Sequence, residues 1–305
     1  MRLSLVLPFA LALLAKFASA GGPETGSLLV FPEFDNRTGH RTYLTITNTD
    51  SSRTIRVHLN LVNASNCLVS NRTVTLTPRD TYTALTSALA ASGQRGYVWA
   101  YAQSTTTGRA IDFDWLAGSS LRVDAAEATD YSIPPFVYRG LTSDGQNTDA
   151  DNDFKPDLDG VEYERSPHRI CVPRFFGQTS TATTNTFVSD LVLFQPLAPA
   201  GVTTTVGFLV FNDNEQVFSA QRTFTCWSRQ RLLAISGLFA DSFLKSTGHT
   251  AAEVVGQTAM EAGWFEVDGI VATGPGAQSQ GNPPILGVLI DLRPNSGADL
   301  PFLVR

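Results

Sequence analysis

Polar and apolar residues alternate with a period of two through long stretches of the chain. Within 54–62, Ile55, Val57, Leu59 and Leu61 share one face, and Arg56, His58 and Asn60 share the other. Such alternation marks a strand in a sheet with one face in water. The same reading predicts strands over 27–32, 41–48, 67–77, 96–102 and 109–116, the last two as a hairpin around 105–108. Residues 79–91 read as a short helix or a turn.

The second half follows the same plan. It has a candidate strand pair at 185–195 and 203–211, then strands at 216–227, 263–267 and 285–292, with a more helical stretch over 231–244. Gly263-Trp264-Phe265-Glu266-Val267 parallels Gly96-Tyr97-Val98-Trp99-Ala100 in pattern rather than identity. Short strands at regular spacing predict an all-β protein of two tandem antiparallel β-sandwich halves, immunoglobulin-like in architecture and joined by an acidic loop. One merged β domain is the alternative. The expected organisation is a signal peptide at 1–20, a first sandwich at 21–130, an acidic linker at 131–170 and a second sandwich at 171–305.

Composition supports β. Of 305 residues, 43% are hydrophobic, enough for real cores, and only 16% are charged. Thr is abundant, and Thr, Val and aromatic side chains suit pleated, half-buried surfaces.

The N-terminus reads as an export signal. Arg2 precedes an uncharged apolar run over 3–15, and Ala18, Ser19 and Ala20 supply a small-residue cleavage site. The run is shorter than the roughly 20 apolar residues a membrane span needs. The alternative is an uncleaved anchor. The mature chain is expected to start near Gly21, to be secreted or periplasmic, and to carry no membrane span. Losing Arg2 and Lys16 leaves 20 basic against 28 acidic residues, moving the net charge from −6 to −8. That balance argues against nucleic acid and anionic lipid as partners. It leaves an extracellular protein or a polysaccharide. Cys67, Cys171 and Cys226 allow one internal disulfide in an oxidising compartment, and Cys171–Cys226 is the expected pair because both lie in the second half.

Between 144 and 164 eight acids face Lys155 alone, a net charge of −7, so this segment carries nearly all the imbalance. Within it Asp149, Asp151, Asp153 and Asp157 fall at positions 1, 3, 5 and 9 of a loop. Calcium takes about six to eight oxygen ligands, and acids at alternate positions can wrap one. A solvated acidic linker is the alternative. The run resembles the calcium loops of the FG-GAP repeats of integrin alpha chains and of thrombospondin type 3 repeats. The resemblance implies Asp149, Asp151, Asp153 and Asp157 as Ca2+ ligands, with the Lys155 carbonyl between them and Leu158 as the hydrophobic residue after the last acid. Glu162 could supply a late ligand. Phe154 departs from the pattern, standing where those loops have Gly. The likeness covers about a dozen residues and does not fix the fold.

Tyr97, Trp99 and Tyr101 alternate and so share a strand face. Exposed, such a row could stack on sugar rings. Otherwise a neighbouring domain covers it. Asp112 and Asp114 also alternate and read as two surface acids, while Trp115 and Trp227 read as core. There is no H-E-x-x-H, no G-x-S-x-G, no P-loop and no dinucleotide fingerprint. The chain as a whole resembles uncharacterised secreted bacterial β-sandwich proteins, which implies a fold and an address but no activity. The expectation is a non-enzymatic binding or structural protein of the cell envelope or extracellular space with a calcium-ordered loop. The alternatives are a carbohydrate-binding module using the aromatic row, and a hydrolase with its site between the halves.

Overall fold

The computed structural model describes residues 24–125, 128–179, 188–212, 215–244, 261–275, 279–293, 297–299 and 303–304. The expected export signal at 1–20 lies outside the described residues. The first half supplies β1 (Leu28–Asp35), β2 (His40–Asn48), β3 (Ile55–Asn63), β4 (Val69–Leu76), β5 (Thr81–Leu85), β6 (Arg95–Gln103), β7 (Leu116–Asp124), β8 (Thr129–Ile133) and β9 (Phe136–Tyr138). The second half supplies β10 (Arg169–Phe176), β11 (Val188–Phe194), β12 (Thr203–Asn212), β13 (Val217–Thr225), β14 (Trp227–Arg231), β15 (Ala262–Thr273), β16 (Ser279–Gly281), β17 (Leu286–Arg293), β18 (Gly297–Asp299) and β19 (Leu303–Val304). Among the described residues, the helical turns α1 (Leu232–Ile235) and α2 (Asp241–Leu244) lie between β14 and β15.

These strands form four small sheets. Sheet I runs β4-β3-β6-β1-β9 and sheet II runs β5-β2-β7-β8. Sheet III runs β13-β12-β15-β10-β19, with β16 on β15, and sheet IV runs β14-β11-β17-β18. They stand as the blades of a four-bladed β-propeller ring, which corrects the expected pair of tandem immunoglobulin-like sandwiches; the all-β class holds. The reason lies in the strand faces. On β1 and β6, Leu29, Phe31, Val98 and Ala100 enter a core shared with Leu44, Ile46 and Leu116 of sheet II. The alternate residues Leu28, Val30, Tyr97 and Tyr101 enter a second core with Val192, Phe194, Val288 and Ile290 of sheet IV. Leu191, Leu193 and Leu289 of sheet IV then face Val206, Phe208 and Phe265 of sheet III. Sheets I and IV are therefore apolar on both sides, and neither presents to water the outer face that it would have in a separate sandwich.

Pairing differs from expectation in two places. β6 lies between β1 and β3, whereas residues 109–115 make only isolated bridges and Leu116 opens β7 on β2. β11 pairs with β14 and β17, and β12 with β13 and β15, so the expected partnership of 185–195 with 203–211 is not made. The correspondence of 96–100 with 263–267 does hold in position. Val98 opposes Phe31 across sheet I, and Phe265 opposes Val172 across sheet III. Each first strand then carries Pro and a bulge before the register resumes at Phe34↔Gly96 and Phe175↔Gly263. A Cβ at Gly263 would sit 2.5 Å from the Phe211 carbonyl oxygen, and one at Gly96 would run into the Val62 carbonyl, so both positions require glycine.

The core between sheets I and IV is also closed covalently and by charge. Cys67, after β3, bonds to Cys226, just before β14, across 159 residues with Cα atoms 5.7 Å apart. The expected Cys171–Cys226 bridge is thus corrected. Cys226 sits in the seam core beside Cys67, whereas Cys171 is buried in mid-strand of sheet III, opposite Glu266. Trp227, core as expected, donates its indole N–H to the Pro32 carbonyl at 2.8 Å. Trp115 is instead 44% exposed. Beneath the bulge Glu33 is fully buried and accepts from Arg122, from Tyr131 at 2.9 Å and from Arg229 at 2.7 and 2.9 Å. Burial opposes ionisation of Glu33, but the two guanidinium groups outweigh it and hold its pKa below the usual value.

Candidate metal centre

The acidic segment is folded onto the body of the protein. Thr148 donates its backbone N–H to the Ala110 carbonyl at 3.2 Å and its hydroxyl to Tyr163 at 3.0 Å. Tyr163 is fully buried in the seam core, against which Leu158 also packs. The segment between these anchors must therefore double back as a tight loop. It does so through side chains that cap their own backbone. Asp151 accepts from the Asp153 N–H at 3.0 Å, Asp153 from Lys155 at 2.8 Å and Asp159 from Val161 at 2.8 Å. Asn152 and Phe154 take the left-handed conformation at φ +64° and +66°. Phe154 thus adopts at a cost the conformation that the resembled loops give to Gly. Arg109 holds the loop there, its guanidinium 4.7 Å from the Phe154 ring and donating to Asn152 at 2.8 Å.

Two sets of carboxylates converge. Oxygens of Asp149, Asp151 and Asp153 lie within 4.8 Å of one another, as do those of Asp151, Asp157 and Glu162. Asp151 belongs to both sets. Lys155, expected to contribute its carbonyl, is known here by an exposed side chain 3.7 Å from Asp153. Glu162 is buried and staples the loop, accepting from the Ala150 N–H at 2.6 Å and the Asp157 N–H at 2.9 Å. Burial first, then neighbouring acids, push the pKa of Asp157 upward; for Glu162 burial again leads, against the two N–H donors.

Asp149 stands apart. It is 2% exposed, and among the described residues neither carboxylate oxygen accepts a hydrogen bond. The nearest cation is Arg109, with Nη1 3.9 Å from Oδ2. An unmet buried carboxylate costs more than the roughly 1–3 kcal/mol of a neutral orphan. A hard cation beside Asp151 and Asp153 would satisfy it.

The other candidate residues sort differently. Tyr97 and Tyr101 are 1% and 4% exposed, and Trp99 is half-buried against the same seam core. Tyr97 stacks on Phe194 at 4.7 Å and Trp99 on Tyr101 at 5.5 Å. The row is brought together, as a sheet-to-sheet contact and not as a platform for sugars. Asp112 is buried, which corrects its reading as a surface acid. Burial first, then Asp114 and Asp144, push its pKa up to about 6. Sequence reasoning missed Arg109 as the loop's clasp and Glu33 as the seam's charge. Glu33 had one available signal, an acid set between the apolar run Leu28-Leu29-Val30-Phe31-Pro32 and Phe34. No protein-family model matches the chain, and none of the curated proteins searched is similar to it.

Proposed function

We propose that the chain is an exported, non-enzymatic binding or structural protein whose acidic loop is ordered by calcium. The buried carboxylate of Asp149, with neither oxygen accepting a hydrogen bond among the described residues, carries this reading. Asp149, Asp151, Asp153 and Asp157 are the acid ligands, with Glu162 reaching the same ion from the far side of the loop. The Lys155 carbonyl completes the set. Oxygen donors alone, with no His or Cys, suit a hard cation rather than zinc. A bound ion converts mutual repulsion among these acids into the main source of order in the loop. Since the loop is anchored on Tyr163 in the seam core, ordering it stiffens the contact between the two halves.

Calorimetric titration with CaCl2, and melting in calcium against chelator, test this. Saturable heat and a higher melting temperature are expected. At a hundredfold excess over Kd the gain is about 2.7 kcal/mol. Asp149→Asn should abolish both effects. No heat and an unchanged melting curve for the native chain would overturn the proposal. The stoichiometry reads whether Asp151 serves one ion or bridges two.

A further inference from the structure

A pocket of about 310 Å³ opens at the seam above Glu33, between β2, β6 and β7 of the first half and β11 and β14 of the second. Its walls carry five arginines, Arg37, Arg95, Arg122, Arg229 and Arg231. This is a concentration of positive charge in a chain whose net charge is −6. The carboxylates within reach are four. Arg122 pairs with Glu33, with Asp35 at 3.1 Å and with Asp124 at 3.2 Å. Arg229 pairs with Glu33 at 2.7 Å and with Asp190 at 2.7 Å. Arg37 takes Asp35 at 2.6 Å, and Arg231 takes Asp190 at 3.1 Å. Asp124 also faces His40 at 3.1 Å.

Arg95 is the exception. Among the described residues no carboxylate approaches it within ion-pair distance; its guanidinium lies 5.5 Å over the Trp227 ring. Burial, and then the like charge of Arg37, lower its pKa, outweighing the more distant Asp35 and Glu33. A half-buried guanidinium that faces a pocket beside other guanidinium groups has no carboxylate in direct contact among the described residues. Arginine's planar fork of donors matches oxyanions in particular.

We propose that this pocket binds one small oxyanion, a sulfate or phosphate group, seated on Arg95 and flanked by Arg37 and Arg231. The group is either a free ion or the charged substituent of a sugar. The volume sits at the small end of the range for ligand pockets, about 300–1,000 Å³. It takes a tetrahedral oxyanion with little more than a monosaccharide attached. Because the walls come from both halves, the bound anion bridges the seam and stabilises the folded chain.

The test is calorimetry and thermal melting of the full-length chain with sodium phosphate, sodium sulfate and N-acetylglucosamine 6-sulfate, at ionic strength held constant with NaCl. Expected are one saturable site, a melting temperature that rises with ligand, and at least tenfold weaker binding in Arg95→Gln. Arg95→Lys should bind with intermediate affinity, and Arg72→Gln, at an exposed position on β4, like the native chain. The sulfated sugar binding more tightly than sulfate assigns the ligand to a substituent, and equal binding assigns it to the ion. Absence of saturable binding by all three probes, or equal binding by native and both Arg95 variants, would overturn the proposal.

Discussion

Replacing both Cys67 and Cys226 by Ala should remove a large share of the folding free energy. The bridge spans 159 residues, about half the chain, so it restricts the unfolded state over a long loop. Chain-entropy closure of a 159-residue loop amounts to about 17 cal/mol/K, or about 5 kcal/mol at 25 °C. Residual structure in the unfolded chain lowers this, while the loss of two buried sulfur atoms from the seam core raises it. The expected loss is about 3–5 kcal/mol.

Urea denaturation of native and double-variant chains gives that difference directly. The unfolded variant is freed to expand, so its m-value should rise as its midpoint falls. Thiol titration supplies an independent check. The denatured, unreduced native chain should show one reactive thiol and the reduced chain three, with Cys171 labelled in the first case. A destabilisation below about 1 kcal/mol would refute the entropic reasoning, and labelling of Cys67 in place of Cys171 would refute the pairing itself.

Two further outcomes follow from buried charge. Glu33→Gln leaves Arg122 and Arg229 sharing no anion beneath the bulge and should cost about 3–5 kcal/mol in urea denaturation; a loss under about 1 kcal/mol would mean that other groups neutralise the pair. The folded pKa of Asp112 is about 6 against an ordinary 3.8, so its contribution to stability is present at low pH and is lost as pH rises through 6. Asp112→Asn should therefore melt higher than the native chain above about pH 6.5 and show no such advantage near about pH 4; a difference that does not vary with pH would rule this out.

Strands were legible where the middle of the inward face was apolar, as in β3 and β12. β7 was hidden because Ser120, Arg122 and Asp124 point inward along with Leu116, which destroys the apolar period. β10 was hidden by Pro173 at its bulge. Alternation alone also left one question undecided. It left open whether the row Tyr97, Trp99 and Tyr101 meets water or a neighbouring domain, and on β1 and β6 both sets are buried. Long-range packing, which a single strand cannot encode, decides that question. The acidic loop was legible from spacing because its caps and ligands are local. The burial of Asp149 was not, since it depends on Arg109, Ala110 and Tyr163 arriving from elsewhere.

The repeated Pro bulge shows where the two halves part ways. Register places Glu33 of β1 and Arg174 of β10 at the same position. Across the adjacent sheet Arg122 stands opposite Thr42, whereas Asp291 stands opposite Ser189. The first half therefore sets an acid under the bulge against an arginine, and the second half sets Arg174 3.7 Å from an acid. One framework carries the pair with its charges exchanged. Only the first-half acid lies at the seam, where Arg229 reaches it from the second half at 2.7 Å. Reversing that pair would have placed Arg229 against another arginine. The orientation of a single buried ion pair thus distinguishes a bulge that receives the other half from one that does not.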